Sequence, residues 1–130
     1  MMSAEIIIIG DEVLAGRVLD TNSAVIARAL AKIGINVKRV VRVGDDEESI
    51  KHALASGLVL SRLVFVVGGL GVTPDDRTLS AVASLLGRKL ILHQPTYHRV
   101  EQIFRKRNIR PPQLAKRHAL ILEGATVFTN

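Results

Sequence analysis

Leu63-Val64-Phe65-Val66-Val67-Gly68-Gly69-Leu70-Gly71-Val72-Thr73-Pro74-Asp75-Asp76 runs from an apolar, β-branched segment through a glycine-rich turn to an acidic helix start. The apolar segment reads as a buried strand. Three glycines in the four positions after it allow positive φ and let a ligand reach the backbone N–H groups without meeting a Cβ. Phosphate cradles need that property, so Gly68, Gly69, Leu70 and Gly71 are candidate ligand contacts. The common phosphate motifs are absent: there is no GxxxxGK[ST], and a GxGxxG reading ends on Pro74. A Walker NTPase and a dinucleotide-binding Rossmann domain are therefore both unsupported. Thr73 and Asp76 also fit a capping box with Pro74 at the first helical position, which predicts a helix from Pro74 to about Leu86.

Outward from this stretch, strand and helix alternate. Ala4 to Ile9 is apolar and ends on Gly10, as expected of a strand buried on both faces. Thr21-Asn22-Ser23 offers caps for a helix whose apolar residues Val25, Ile26, Ala29, Leu30 and Ile33 recur at helical spacing, with Gly34 as its stop. Ile35 to Val43 reads as a second strand. Asp45-Asp46-Glu47-Glu48 then places acids in the first turn of a second helix, with Asp45 and Glu48 spaced as a cap and capping-box pair. Further on, Leu90 to Leu92 is expected as a short strand, Thr96 to Arg107 and Pro112 to about His118 as helices, and Thr126 to Phe128 as a last short strand. The order implies right-handed βαβ crossovers, a mostly parallel sheet and helices on both faces: a three-layer α/β/α domain. The 130 residues suit one such domain.

In open parallel sheets, ligands bind beyond the carboxyl ends of the strands. The loops leaving those ends are Gly10–Thr21, Gly44–Glu47 and Gly68–Asp76, so Glu12, Asp45, Asp75 and Asp76 should converge on the turn. Carboxylates beside a phosphate repel it, and a divalent cation such as Mg²⁺ reconciles the two. Asp75 and Asp76 are accordingly the expected metal ligands of the turn. Glu12 lies in a Gly-flanked loop with no evident helix start. Thr78 either faces the site or back-bonds to a carbonyl.

Composition narrows the partners. There is no cysteine, which excludes disulfides and thiolate metal sites and is compatible with a cytoplasmic protein. The Ile6–Ile9 run is too short to cross a membrane. The four histidines lack HxH or HExxH spacing. Lys and Arg against Asp and Glu number 7 and 8 over residues 1–60, 2 and 2 over 61–87, and 9 and 2 over 88–130. The excess positive charge thus sits in the last third, a patch that attracts anions. Few aromatic residues accompany it, so nucleic-acid binding there would be salt-dependent and weakly specific.

Taken together, four segments resemble a known family. Gly68 to Thr78 resembles the GGLGPTxDDxT signature of the N-terminal, molybdopterin-binding-like domain of the competence/damage-inducible protein CinA. Gly10-Asp11-Glu12-Val13-Leu14-Ala15-Gly16 is similar to that family's GxELLxG loop, Asp20-Thr21-Asn22-Ser23 to its N/D-T-N segment, and Val43-Gly44-Asp45-Asp46 to its VGD turn. The resemblance implies a molybdopterin-binding-like fold and a phosphorylated pterin or nucleotide ligand held with Mg²⁺. It implies contacts from Gly10, Glu12, Asn22, Thr73 and Thr78, and catalytic or metal roles for Asp45 and Asp76. Metal-dependent hydrolysis of ADP-ribose-like pyrophosphates is one implied activity; a non-catalytic binding or assembly module is the alternative. A homo-oligomer is also implied. Val72 departs from the family's proline. Family members continue, past the position resembling Ala125–Asn130, into a Gly-Thr-Ala-Pro-Gly segment that contributes to the cleft, so the expectation is either that the sequence is cut short here or that the cleft is incomplete. The family's C-terminal deamidase domain is absent, and that activity is not expected.

Overall fold

The computed structural model describes residues 2–129; Asn130, named above, lies outside the described residues. Strand β1 (Ser3–Ile9) is the middle of a three-stranded parallel sheet, flanked by β2 (Asn36–Val43) and β3 (Leu63–Val67). Its central position explains its composition: Ile6, Ile7, Ile8 and Ile9 are all buried, which stabilises the fold by roughly 1.5–3 kcal/mol per side chain.

Alternation sends successive isoleucines to opposite faces. Ile7 and Ile9 pack with Ile50, Ala53 and Leu54 of α3 (Glu47–Leu60) and Ala81 of α4 (Thr78–Leu86). Ile6 and Ile8 face the other way, in register with Val40 and Arg42. On that side Arg42 reaches Asp20 at 3.5 Å, just ahead of α2 (Asn22–Lys32), which packs on β2. The expected layering, with helices on both faces, is present.

A second, two-stranded antiparallel sheet joins β4 (Leu90–Leu92) to β5 (Leu120–Leu122). Between them lie α5 (Gln94–Lys106) and a 3₁₀-helix, Gln113–Ala119. The strand expected at Thr126–Phe128 is not formed, because Leu120-Ile121-Leu122 takes the pairing instead. Backbone bonds from His93 N to Ala119 O (2.8 Å) and from Glu123 N to Lys89 O (2.9 Å) carry the contact past both ends of the ladder.

Helix starts depart from the motif reading in three places. Asp20, rather than the Thr21–Ser23 segment, supplies the acceptor ahead of α2, taking the Ser23 N–H at 3.0 Å and the Ser23 hydroxyl at 2.5 Å. Asp46, rather than Asp45, caps α3 by accepting the Ser49 N–H at 2.8 Å. A one-turn helix α1 (Asp11–Leu14) starts directly after Gly10, so Glu12 sits in a first turn and not in an open loop.

The charged side chain of Glu5 is buried between β1 and α3, 1% exposed. Its Oε1 accepts from Arg39 Nη2 at 2.7 Å, and the same nitrogen donates to Ser56 Oγ at 3.0 Å. A Cβ on Gly57 would lie 3.2 Å from Glu5 Oε1, so glycine lets α3 settle over the carboxylate. Glu5 Oε2 has no hydrogen-bond partner. Removing the guanidinium strands a buried charge, whereas removing both groups does not. Arg39→Met is therefore expected to lower the urea midpoint, by less than loss of a fully buried partner would because Arg39 is 41% exposed. Glu5→Leu/Arg39→Met should recover most of that loss in urea denaturation.

Candidate functional site

The three loops do converge at the carboxyl edge of the parallel sheet. Gly10 N donates to Val43 O at 3.0 Å, bringing the exits of β1 and β2 together. Asp45 N donates to Asp11 Oδ1 at 2.9 Å, and Asp11 N to Asp45 Oδ2 at 3.4 Å, a reciprocal lock between the two loops. Glu12 folds its carboxylate back over Gly10, where a Cβ would meet Oε1 at 2.7 Å.

The turn after β3 is held from below. Gly68 has φ +98°, and a Cβ there would collide with the Ile9 carbonyl oxygen; Gly69 has φ +64°, and a Cβ there would collide with Thr78 Oγ1. Only glycine satisfies both the torsion and the space. Thr78, 2% exposed, donates its hydroxyl to Gly68 O at 2.7 Å, and its N–H donates to Gly69 O at 3.2 Å. Thr78 is thus a support under the turn, and its bond is to the turn rather than to its own helix.

That support also explains why α4 begins at Thr78 and not at Pro74. Thr73 and Asp76 meet as the motif suggests: the Thr73 N–H and hydroxyl donate to Asp76 Oδ2 at 3.0 and 2.6 Å. They close a tight turn, and the chain then passes under the glycines before the helix starts.

The acids divide between two sides of the turn. Asp45 is raised above the ordinary carboxylate range, chiefly by burial and then by the charges of Asp11, Glu12 and Asp75, against the Asp11 N–H bond. Asp76 is held below that range, first by the Thr73 hydroxyl, then by the Thr73 and Gly71 N–H groups and the charge of Arg117, against the effect of burial. The acid that bears on Asp45 is therefore Asp75, while Asp76 is engaged with Thr73. Among the described residues no three His, Asp or Glu side chains come close enough to hold a metal ion. The expected ligand set of Asp45, Asp75 and Asp76 is thus not assembled by these residues. Asn22 is exposed at the start of α2.

Beside the turn lies a cleft of about 220 Å³. Gly69, Leu70, Gly71 and Asp76 form its floor and rim. Leu79, Leu90 and Leu120 make an apolar wall drawn from α4 and the small sheet, and Ser80, Arg117 and His118 add polar groups. Arg117, from the 3₁₀-helix, donates Nη1 to Val72 O at 2.7 Å and so clips the basic last third of the chain onto the turn. Neither Arg117 nor His118 stands in a motif; the excess positive charge after residue 88 is their only trace in the sequence.

This arrangement has known counterparts. The family model described as "Probable molybdopterin binding domain" matches residues 5–129. A crystal structure of the protein CinA, of unknown function, from Thermoplasma acidophilum superposes with a TM-score of 0.82 at 31% identity, over 92% of this chain and 70% of that one. The chain belongs to the CinA family of molybdopterin-binding-type domains. A CinA-like protein of Chlorobaculum tepidum is 43% identical over 129 residues, 99% of this chain and 30% of that protein. The chain therefore spans about a third of the length of such relatives. The molybdopterin biosynthesis enzyme MoaB of Thermus thermophilus shares the fold at a TM-score of 0.62 and 25% identity, over 94% of this chain and 79% of that one. No helix among the described residues is long and apolar enough to cross a membrane.

Two measurements check this geometry. Thr78→Val removes the donor to Gly68 and is expected to cost about 1–3 kcal/mol in urea denaturation, while Thr78→Ser keeps the hydroxyl and most of the stability. For Asp45 the sign follows from its raised pKa. Its ionised form is disfavoured in the fold, so it costs stability at neutral pH; the cost fades as pH falls through the folded value and is gone below the unfolded value of 3.8. Asp45→Asn should therefore raise Tm at pH 7 by roughly 1–2 °C, and the gain should vanish below pH ~3.8. Asp76 has the opposite sign: its stabilisation is present above 3.8 and is lost as pH falls through its lower folded value.

Proposed function

We propose that this CinA-like domain binds a phosphate-bearing pterin or nucleotide, with the phosphate against the Gly69–Gly71 backbone. The observation that carries the reading is the turn itself. Two glycines at positive φ are pinned by Thr78 beside a cleft that offers backbone and cationic donors together. A turn serving only to start a helix would need one special residue, and here the helix starts elsewhere. The pterin part of the reading rests on the family description and on solved relatives named for molybdopterin biosynthesis.

The domain acts in this reading as a binding module. Metal-dependent hydrolysis of ADP-ribose-like pyrophosphates needs carboxylates grouped around the ion, and the two candidates are engaged with different partners, Asp45 with Asp11 and Asp76 with Thr73. A divalent ion, with no three-residue site among the described residues to hold it, enters as a counter-ion carried by the ligand's phosphates. Mg²⁺ is suited to that role because it usually takes only one or two carboxylates. The acids Asp11, Glu12, Asp45 and Asp75 supply the attracting charge.

Isothermal titration with ADP, once in EDTA and once in excess Mg²⁺, tests the reading. Binding is expected in both buffers, strengthened about threefold to tenfold by Mg²⁺. No heat in either buffer would overturn the phosphate site, and equal affinity in both would remove the ion from it.

A further inference from the structure

We infer that Arg117 is the anion-selecting residue of this cleft, the side chain through which the basic last third of the chain serves a phosphate site. The inference rests on the phosphate reading above and adds a residue that no motif contains.

Arg117 is placed for two tasks. One of its five N–H donors is committed to Val72 O, which fixes the guanidinium against the turn's outer limb. The rest of the fork remains available, and the side chain lines the same cleft as the backbone of Gly69 and Gly71. A planar fork held at one corner is well prepared to take a tetrahedral oxyanion with its other donors, because little side-chain freedom remains to be lost. His118 lines the cleft near it and can donate to the same anion, whereas the Ser80 hydroxyl donates to Arg77 O at 3.0 Å.

The charges around the cleft make a cation necessary. Asp76 lies on the rim, and Asp11, Glu12, Asp45 and Asp75 crowd the neighbouring side of the turn. Backbone N–H groups alone would face an anion already repelled by these carboxylates. The guanidinium offsets that repulsion from within the cleft, so a phosphate can be held without a resident metal. The cleft is also small beside the roughly 300–1,000 Å³ of ordinary ligand pockets. It takes a phosphate and the adjoining part of a ligand, with Leu79, Leu90 and Leu120 against that part.

The test titrates inorganic phosphate, in EDTA, into ¹⁵N-labelled protein and follows the Gly69 and Gly71 amide resonances. Wild type is expected to saturate in the millimolar range. Arg117→Gln keeps an amide donor for Val72 O but loses the charge, and should weaken binding about tenfold; Arg117→Lys restores the charge without the fork and should recover only part of the loss, staying about threefold weaker than wild type. Gln binding as tightly as wild type would overturn the inference while leaving the phosphate site intact. Equal loss in Gln and Lys, with the Val72 and Thr73 resonances displaced before any phosphate is added, would overturn it too, since Arg117 would then only brace the turn. Gly69 and Gly71 resonances that stay unmoved in wild type would overturn the phosphate site itself and the inference with it.

Discussion

The close approach of Gly68 to the Ile9 carbonyl is the constraint on which the rest of the site depends. Any Cβ at that point would enter the carbonyl oxygen of the central strand. The chain leaving β3 therefore crosses directly over the end of β1, and the Thr78 hydroxyl fastens it there through Gly68 O. This single crossing sets where α4 begins, where the free face of the turn points and how near the turn lies to the loops after β1 and β2. A looser exit from β3 would separate the glycines from Asp11 and Asp45, and the carboxyl edge would hold three unrelated loops.

Around that crossing, the acids and bases of the chain sort to opposite sides. Asp11 and Asp45 exchange backbone hydrogen bonds, and with Glu12 and Asp75 they form an acidic side where burial first, and then the neighbouring charges, raise Asp45. Asp76 leaves that group because Thr73 offers it two donors, and it lies instead at the cleft that Arg117 lines. The turn thus separates two electrostatic environments that a linear reading of Asp75-Asp76 merges into one.

The small β4–β5 sheet shows how a secondary element can serve a site at a distance. Its Leu-Ile-Leu strands pair in register and place Leu90 and Leu120 in the cleft wall. The same pairing anchors the 3₁₀-helix immediately before β5, from which Arg117 reaches back to Val72. The basic surplus after residue 88 thereby acquires a structural address. At least one of its charges is directed at the glycine turn rather than spread on a solvated face.

Local sequence determined the elements whose signals are local. The isoleucine run, the helical spacing of Val25, Ile26, Ala29, Leu30 and Ile33, and the glycines of Gly68–Gly71 each announce a strand, a helix or a positive-φ turn, because backbone torsion and apolar period are properties of neighbouring residues. The α/β/α layering followed from their order, and the meeting of the three acidic loops followed from the parallel topology. What only the tertiary structure decided were choices between near-equivalent partners far apart in the chain. Asp46 rather than Asp45 caps α3 because Asp45 is drawn to the Asp11 N–H. Thr78 rather than Pro74 starts α4 because its hydroxyl is taken by Gly68 O. Leu120–Leu122 rather than Thr126–Phe128 pairs with β4, and Arg117 alone of nine basic residues in the last third is bonded to Val72 O. In each case the competing residues carry the same chemistry, and the selection rests on distance in space, which residue order does not encode.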